Sequence, residues 1–201
     1  MGKRVFDLLF SLFILLLSSP FFLLCMLLVK CSSAGPVFYA HTRVGCNRKL
    51  FSCLKFRTMY QNAETRLEPL LASDPALMKE WTTYFKLKED PRITFAGKFL
   101  RKTSLDELPQ IWNVLKGEMS IVGPRPLTEH EVTHYLKSKA STILSVRPGL
   151  TTLWITQGRN GLSLEERIAL EEYYVAHRSF WLDCKLIVQT ALLMLFPKGA
   201  Y

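Results

Sequence analysis

A long uncharged segment near the N-terminus limits the folds open to this chain more than any other feature of its sequence. The segment runs from Leu8 to Val29. About 22 residues of helix are long enough to cross the hydrocarbon layer of a membrane, which is ~30 Å thick. Length and composition therefore favour a membrane helix. The globular part of the protein must be smaller than the whole chain of 201 residues.

Ser19-Pro20 lies close to the middle of this segment and predicts a bend there. Proline removes one backbone hydrogen bond, and its ring clashes with the carbonyl four residues earlier, at Leu16. Each arm would have about a dozen residues, roughly 18 Å of helix, which is too short to cross the hydrocarbon layer. The hydroxyls of Ser18 and Ser19 are placed to bond the carbonyl that Pro20 leaves free. We expect a hairpin that enters the membrane and turns back.

Basic residues flank both ends of the segment, Lys3 and Arg4 before it and Lys30 after it. Cytoplasmic flanks of membrane segments carry such charge, so both ends are expected on the cytoplasmic face. A single spanning helix with a proline kink remains an alternative. A cleaved signal peptide is a second one, although its apolar part usually has 7–15 residues and no clear cleavage site follows here.

These signals divide the chain into two parts. Residues 1–33 are assigned to a re-entrant membrane anchor, and residues 34–201 to a small cytosolic domain. The segment from Phe180 to Phe196 is strongly apolar, but about 17 residues are marginal for spanning and suit a helix that lies in the membrane interface. We expect the C-terminal helix to be interfacial and amphipathic.

The net charge of +9 requires an anionic partner. Nucleic acid, an anionic membrane face and a phosphorylated substrate are the candidates. No RNA- or DNA-binding motif accompanies the charge, so nucleic acid is not expected. The five cysteines contain no C-x-x-C pair, which indicates a reducing compartment and makes a zinc site unexpected.

The residues after Gly35-Pro36 predict a mixed α/β domain that is rich in helix. Val37 to His41 and Leu50 to Met59 have the composition of strands. The period of two along the second strand places Lys55 and Arg57 on one face. Apolar residues at helical spacing predict helices over 63–88, with a break at Ser73-Asp74-Pro75, over 111–116 and over 164–176.

Two adjacent carboxylates, Asp106 and Glu107, lie at a predicted helix start. A helix N-terminus carries about half a positive charge and several unpaired N–H groups, so a carboxylate there is expected to stay ionised. An ionised carboxylate can attack phosphorus or hold a divalent metal. Ser104-x-x-Glu107 also has the spacing of a capping box, in which Glu107 would only satisfy a backbone donor. Taken alone, these residues leave both roles open.

Arginines recur beside proline or glycine, which stiffen the backbone around them. Arg125 lies between two prolines, Arg147 precedes Pro148, and Arg159 follows Gly158. Each one singly suits a surface turn, but fixed guanidinium groups are suited to bidentate recognition of phosphate. These arginines, with Lys55 and Arg57, are our candidate phosphate contacts.

The order and spacing of these motifs resemble the bacterial sugar transferase family, the monotopic polyprenol-phosphate phosphoglycosyl transferases. The resemblance covers nearly the whole chain. It is carried by Lys3-Arg4-x-Phe6-Asp7, Ser19-Pro20, Gly35-Pro36-Val37-Phe38, Lys55-Phe56-Arg57-Thr58-Met59, Ser104-Leu105-Asp106-Glu107-Leu108-Pro109-Gln110, Trp112-Asn113-Val114-Leu115-Lys116-Gly117, Val122-Gly123-Pro124-Arg125-Pro126, Arg147-Pro148-Gly149 and Gly158-Arg159-Asn160.

The resemblance implies an enzyme at the cytosolic face of the bacterial inner membrane, with anionic lipids as neighbours. It would pass a sugar 1-phosphate from a UDP-sugar to a polyprenol phosphate such as undecaprenyl phosphate and release UMP. That is the first membrane step of exopolysaccharide, O-antigen or capsule synthesis. The ending Lys198-Gly199-Ala200-Tyr201 is similar to the branch that uses UDP-glucose or UDP-galactose. Where the family usually has Thr-Gly-Leu followed by Gln-Val, this chain has Thr151-Thr152-Leu153-Trp154-Ile155-Thr156.

The resemblance also implies roles for the dyad. Asp106 would be the nucleophile that carries the phosphosugar as an acyl phosphate. A Mg²⁺ ion is expected at Asp106 and Glu107 to offset the charge of the diphosphate, with Glu107 as a metal ligand or a general base. A membrane-bound nucleotide-sugar hydrolase and a non-catalytic adaptor of glycan assembly remain alternatives. Whether the chain forms a homodimer is left open.

Overall fold

The computed structural model describes residues 2–84, 87–157 and 162–195. Its first element, α1, spans Gly2–Ser32 and contains Pro20. The helix continues through Ser19-Pro20, so the predicted break does not divide it into two helices. Ser19 Oγ donates to Leu16 O at 2.9 Å, which is the carbonyl that Pro20 leaves without an N–H partner. The serine hydroxyl thus takes the place of the missing N–H donor. The re-entrant course of α1 stays a prediction.

Both ends of α1 pack against the same globular domain, while its middle is exposed. Near the start, the buried Asp7 carboxylate accepts from Ser120 Oγ at 2.9 Å and from Ile121 N at 3.1 Å. Near the end, Cys25 and Val29 are buried in a cluster with residues of the domain. Among the described residues, α1 is the helix long and apolar enough to cross a membrane. Its exposed side chains include Leu9, Leu12, Phe13, Leu16, Leu17, Phe21, Leu23, Leu24 and Leu27.

An antiparallel hairpin follows the membrane helix. Strand β1 spans Phe38–Val44 and β2 spans Leu50–Phe56, with Tyr39 opposite Lys55. The first strand is longer than predicted because Arg43 and Val44 also pair across the hairpin. The second ends before Met59, because the backbone of Thr58 and Met59 bonds instead to the segment at residues 93–94.

Helices make up most of the remaining domain, which confirms the expectation of a mixed, helix-rich fold. A second sheet has two short parallel strands, β3 (Ser120–Val122) and β4 (Gly149–Thr151). Helices α2 and α3 meet at Asp74, where the sequence predicts a break. The α-helices are α2 (Leu67–Ser73), α3 (Pro75–Tyr84), α4 (Phe95–Thr103), α5 (Gln110–Lys116), α6 (Glu129–Glu131), α7 (Ala140–Ile143), α8 (Leu153–Thr156), α9 (Leu164–His177) and α10 (Phe180–Leu195). Short 3₁₀ turns span Cys46–Arg48, Leu105–Glu107 and Lys137–Lys139, and a π-helical turn spans Val132–Leu136.

The hydrophobic core joins the two sheets to the helices that hold the membrane anchor. One cluster combines β2, α5 and β3 with Tyr174 of α9 and Leu186 of α10. A second one packs the end of α1 against Phe56 and Leu100. Gly97 of α4 lies so close to Thr58 that a Cβ at this position would be 2.0 Å from Thr58 O. Helix α4 and the end of β2 are therefore held in close contact.

The last helix, α10, connects the core to the start of α1. Asp183 is buried and lies 2.8 Å from the Tyr174 hydroxyl, and its other carboxylate oxygen pairs with Lys3. Phe180, Trp181 and Val188 remain exposed. This arrangement places exposed apolar side chains beside the membrane helix, and the interfacial position of α10 stays a prediction.

Candidate active site

The two carboxylates lie in the 3₁₀ turn between α4 and α5, beside strand β2. Ser104 precedes this turn with a φ of 59° and makes no capping hydrogen bond with its side chain. The Glu107 carboxylate instead accepts from Lys55 Nζ at 2.5 Å. The capping-box interpretation of Ser104 and Glu107 is therefore wrong. Helix α5 begins only at Gln110 and ends at Gly117, whose positive φ closes it as predicted.

Asp106 is buried, with 9% of its surface exposed, and its Oδ2 lies 3.9 Å from Lys55 Nζ. Burial raises the pKa of Asp106 to about 6, because charge is poorly solvated there; Lys55 opposes this rise and Glu107 adds to it. Desolvation is the largest of these effects, and it does not overturn the expectation that this carboxylate stays ionised. At neutral pH the group is still mainly ionised.

Glu107 differs from its neighbour in its electrostatics. Burial alone would raise the pKa of Glu107, but the charges of Lys55, Arg125 and Arg43 and the hydrogen bond from Lys55 outweigh burial and lower it. The dyad thus contains one carboxylate with a raised pKa, Asp106, and one with a lowered pKa, Glu107. Such a divergence between adjacent acids is typical of reactive sites.

A cavity of about 640 Å³ opens beside the dyad. Ligand sites commonly have volumes of about 300–1,000 Å³, so a nucleotide-sized ligand can be accommodated. Its walls come from β1, β2, the α4–α5 turn and the segments around Arg125 and Trp154. Cations surround the carboxylates, and the cavity therefore suits an anionic ligand. The basic side chains that line it are Arg43, Lys55, Arg57, Arg101 and Arg125.

Arg57 has the smallest exposed fraction of these cations, 6% of its surface. Its Nη2 donates to Ser33 O at 2.7 Å and to Ser33 Oγ at 3.0 Å. Its Nε and Nη1 have no hydrogen-bond partner in the described part of the chain. The sequence-based expectation that Lys55 and Arg57 point to the same side holds, since both line the cavity.

Arg125 lies at the other end of the cavity. Its backbone N–H donates to Glu171 Oε1 at 2.9 Å, and its guanidinium carbon lies 5.7 Å from the centre of the Trp154 ring. Glu171 is buried, and burial raises its pKa to about 7 in spite of the hydrogen bond from Arg125. Glu171 thus holds the backbone of Arg125, and the guanidinium lies over Trp154 at the wall of the cavity.

The remaining arginine predictions have other outcomes. Arg147 does not line the cavity; its Nε donates to Gly117 O at 2.7 Å and so bonds a carbonyl just past the end of α5. The structure therefore does not bring Arg147 together with the cations of the cavity, and its role as a substrate contact stays a prediction. Arg159 lies outside the described residues.

Sequence reasoning missed the cavity residues of β1. Tyr39, His41 and Arg43 alternate along this strand and reach the cavity from one face. Their period of two was a usable signal. Arg101 of α4 and Trp154 also line the cavity, but their positions depend on how distant segments pack.

The donor set at the dyad fits Mg²⁺ in part. Mg²⁺ is usually held by one or two carboxylates together with water and substrate phosphate oxygens. Asp106 and Glu107 supply such a pair. Within the described ranges, no group of three or more His, Cys, Asp or Glu side chains could hold a metal alone. A metal at this dyad therefore needs further oxygen ligands from water or from the substrate.

Comparison with known proteins identifies the family. The model described as bacterial sugar transferase matches residues 1–197. The chain belongs to this family. Membership confirms the expected resemblance and the expectation of an enzyme of the transferase class, and together with α1 it indicates membrane association.

The relatives of this sugar transferase are named either for exopolysaccharide production or as undecaprenyl-phosphate sugar phosphotransferases. It is 46% identical over 200 residues to the exopolysaccharide production protein ExoY of Sinorhizobium fredii, covering 100% of this chain and 88% of that protein. It is 46% identical to the undecaprenyl-phosphate galactose phosphotransferase of Salmonella typhimurium, covering 99% and 41%. Identity to the undecaprenyl-phosphate glucose phosphotransferase of Komagataeibacter xylinus is 34%, covering 99% and 37%. The chain thus spans less than half the length of these two phosphotransferases.

Proposed function

We propose that this sugar transferase moves a hexose 1-phosphate from UDP-glucose or UDP-galactose to undecaprenyl phosphate and releases UMP. The observation that carries the proposal is a buried carboxylate, Asp106, that lies beside Lys55 in a cation-lined cavity on a domain attached to a membrane helix. The names of the galactose and glucose phosphotransferase relatives support the substrate class.

In the first step an Asp106 carboxylate oxygen attacks the β-phosphorus of the UDP-sugar. The bond from that phosphorus to the oxygen bridging the two phosphates breaks, and UMP leaves with the electron pair. In the second step an oxygen of the lipid phosphate attacks the same phosphorus and displaces the Asp106 oxygen. The soluble donor can then leave before the lipid acceptor reacts, which suits a site at a membrane surface.

Lys55 and Glu107 serve charge balance in this scheme. Lys55 lies close to both carboxylates and offsets the repulsion between Asp106 and an anionic donor. The lowered pKa of Glu107 makes it a weak base, so we assign it to holding cations rather than protons. Bound Mg²⁺ would supply further neutralisation of the phosphate charge, held by Asp106 and Glu107.

The test is a covalent adduct. The purified protein with Mg²⁺ and UDP-glucose or UDP-galactose, without lipid, should release about one UMP per active site and gain the mass of a hexose phosphate. Adding undecaprenyl phosphate should consume the adduct and allow turnover, and Asp106→Asn should abolish both. Full activity in Asp106→Asn without any adduct would contradict the mechanism. Sustained UMP release without lipid would instead indicate a hydrolase.

The proposed location is the cytosolic face of the bacterial inner membrane. Lys3, Arg4 and Lys30 flank α1 at both ends, as expected of cytoplasmic flanks facing anionic lipids. The exposed apolar side chains in the middle of α1 suit the membrane interior. Both ends pack on the one domain, which supports a re-entrant course.

A further inference from the structure

The buried guanidinium of Arg57 is incompletely paired. Only Nη2 has acceptors, both from Ser33, and Nε and Nη1 have none among the described residues. A buried cation without a counter-charge is costly unless an anion completes its hydrogen bonds. Because Arg57 also lines the cavity, the missing acceptors can come from a bound ligand.

The absence of a side chain at Gly35 leaves space for the Arg57 guanidinium. Gly35 has a φ of +115°, and a Cβ at this position would lie 2.3 Å from Arg57 Nη1. Any other residue would be strained in its backbone and would push the guanidinium away. The glycine in the sequence is therefore required for the observed position of the Arg57 guanidinium.

Arg57 lies at the end of the cavity nearest the membrane helix. Its partner Ser33 directly follows α1, and Phe22 of α1 packs on Phe56, the residue before Arg57. Lys55 is two residues earlier on the same face of the strand, about 7 Å away along it, and contacts the dyad. Arg125 lies beside Trp154 and shares a smaller pocket with Glu107 and Lys55 that Arg57 does not line. The two cations therefore occupy different parts of the cavity, and Arg57 is the one next to α1.

We propose that Arg57 binds the phosphate group of the polyprenol phosphate acceptor, whereas the nucleotide of the donor occupies the Arg125 end. This inference rests on the proposed function. A lipid phosphate must reach Asp106 while its hydrocarbon chain stays in the membrane beside α1, and the Arg57 end borders that helix. An arginine with two free N–H directions suits a phosphate monoester. The phosphosugar can turn about the single bonds of the aspartyl phosphate after UMP leaves, so the acceptor can attack from its own side.

The experiment separates the two half-reactions. The burst of UMP from UDP-sugar without lipid reports on the donor, and the KM for undecaprenyl phosphate in detergent micelles reports on the acceptor. Arg57→Gln should keep the burst within about threefold of the unchanged protein and raise the acceptor KM about 10- to 100-fold, the range expected for losing a charged hydrogen bond. Arg125→Gln should show the reverse, with a slower burst and a smaller effect on the acceptor.

Two further variants keep the result interpretable. Ser33→Ala removes the hydroxyl contact but not the guanidinium, and should leave the acceptor KM within about threefold. Arg57→Lys keeps the aliphatic stem and the positive charge, and it is used in place of Arg57→Gln if the glutamine variant unfolds at a markedly lower temperature. Arg57→Lys should keep the UMP burst and still raise the acceptor KM. Equal loss of burst and acceptor turnover in a folded Arg57 variant would overturn the assignment. Absence of a burst from the unchanged protein would overturn the proposed function itself.

Discussion

Asp106 and Glu107 are adjacent acids with opposite pKa shifts, and the difference arises from their surroundings rather than from their residue type. Asp106 is buried and 3.9 Å from Lys55, whereas Glu107 bonds Lys55 at 2.5 Å and senses two arginines. A carboxylate that is poorly solvated but still ionised at neutral pH is a reactive nucleophile. The residue scale therefore yields predictions about pH.

Formation of the enzyme adduct should fall as the pH is lowered through about 6. In the proposed mechanism Asp106 attacks only when it is ionised, and its pKa is raised to about 6. Below that value the rate should drop about tenfold per pH unit. Rapid-quench measurement of the UMP burst between pH 4.5 and 8 checks this. A rate that stays constant down to about pH 4, the ordinary range of aspartate, would contradict the prediction.

Removing the charge of Lys55 should move this pH profile upward. Lys55 lowers the pKa of Asp106, and Glu107 raises it, so Lys55→Gln and Glu107→Gln should shift the midpoint in opposite directions. Both variants are expected to be slower, but the readout is the midpoint of the burst profile, not its height. Shifts of the same sign in both variants would show that the profile does not report on Asp106.

At the scale of elements, polar side chains of α1 satisfy backbone groups, both within the helix and in the domain on which it packs. The Leu16 carbonyl, deprived of a donor by Pro20, is bonded by Ser19 Oγ. Asp7 fixes the start of the helix to β3. Arg4 donates to the carbonyls of Val114 and Leu115 at the end of α5. The anchor is thus attached through specific polar contacts as well as apolar packing.

Ser19→Ala should destabilise the protein more than Ser18→Ala does. Ser19 bonds the free carbonyl of Leu16, and losing that bond where water is scarce should cost about 1 kcal/mol. The Ser18 hydroxyl has no partner within the described residues, so its removal should have little effect. Thermal unfolding in detergent, followed for both variants, measures the difference. Equal shifts would show that Ser19 does not replace the lost donor.

Asp7→Ala should loosen the attachment of α1 to the globular domain. The variant leaves the buried Ser120 hydroxyl and the Ile121 N–H without their acceptor. An unsatisfied buried donor costs about 1–3 kcal/mol. A lower midpoint of thermal unfolding and faster proteolysis between α1 and β1 are expected. Val5→Ala, at an exposed position on the same helix, is the control and should leave both unchanged.

For the whole molecule, the course of α1 decides how the cavity faces the membrane. Both ends of the helix contact one domain, and the exposed middle is apolar. In the proposed function, a returning helix would keep the site at the surface from which both substrates arrive. A spanning helix would instead place the two ends of α1 on opposite sides of the membrane.

Cysteine labelling in whole cells tests this topology. In a variant without native cysteines, Gly2→Cys and Ala34→Cys should both react only with a reagent that reaches the cytoplasm. The Leu16 side chain is 77% exposed on the protein surface. Leu16→Cys should nevertheless stay unlabelled, because this part of α1 is expected to lie in lipid. Labelling of either terminal position from the periplasmic side would exclude the re-entrant course.

The sequence alone determined the apolar anchor, the mixed helix-rich fold, the dyad, and the cations Lys55 and Arg57 in and just after β2. These follow from local patterns: an uncharged run, strand periodicity and adjacent acids. Only the tertiary structure decided that Glu107 pairs with Lys55, that Arg147 bonds Gly117 at the end of α5, and that β1 supplies cavity residues. The physical reason is that burial and charge partners depend on segments far apart in sequence, whereas a residue's chemical type and spacing do not.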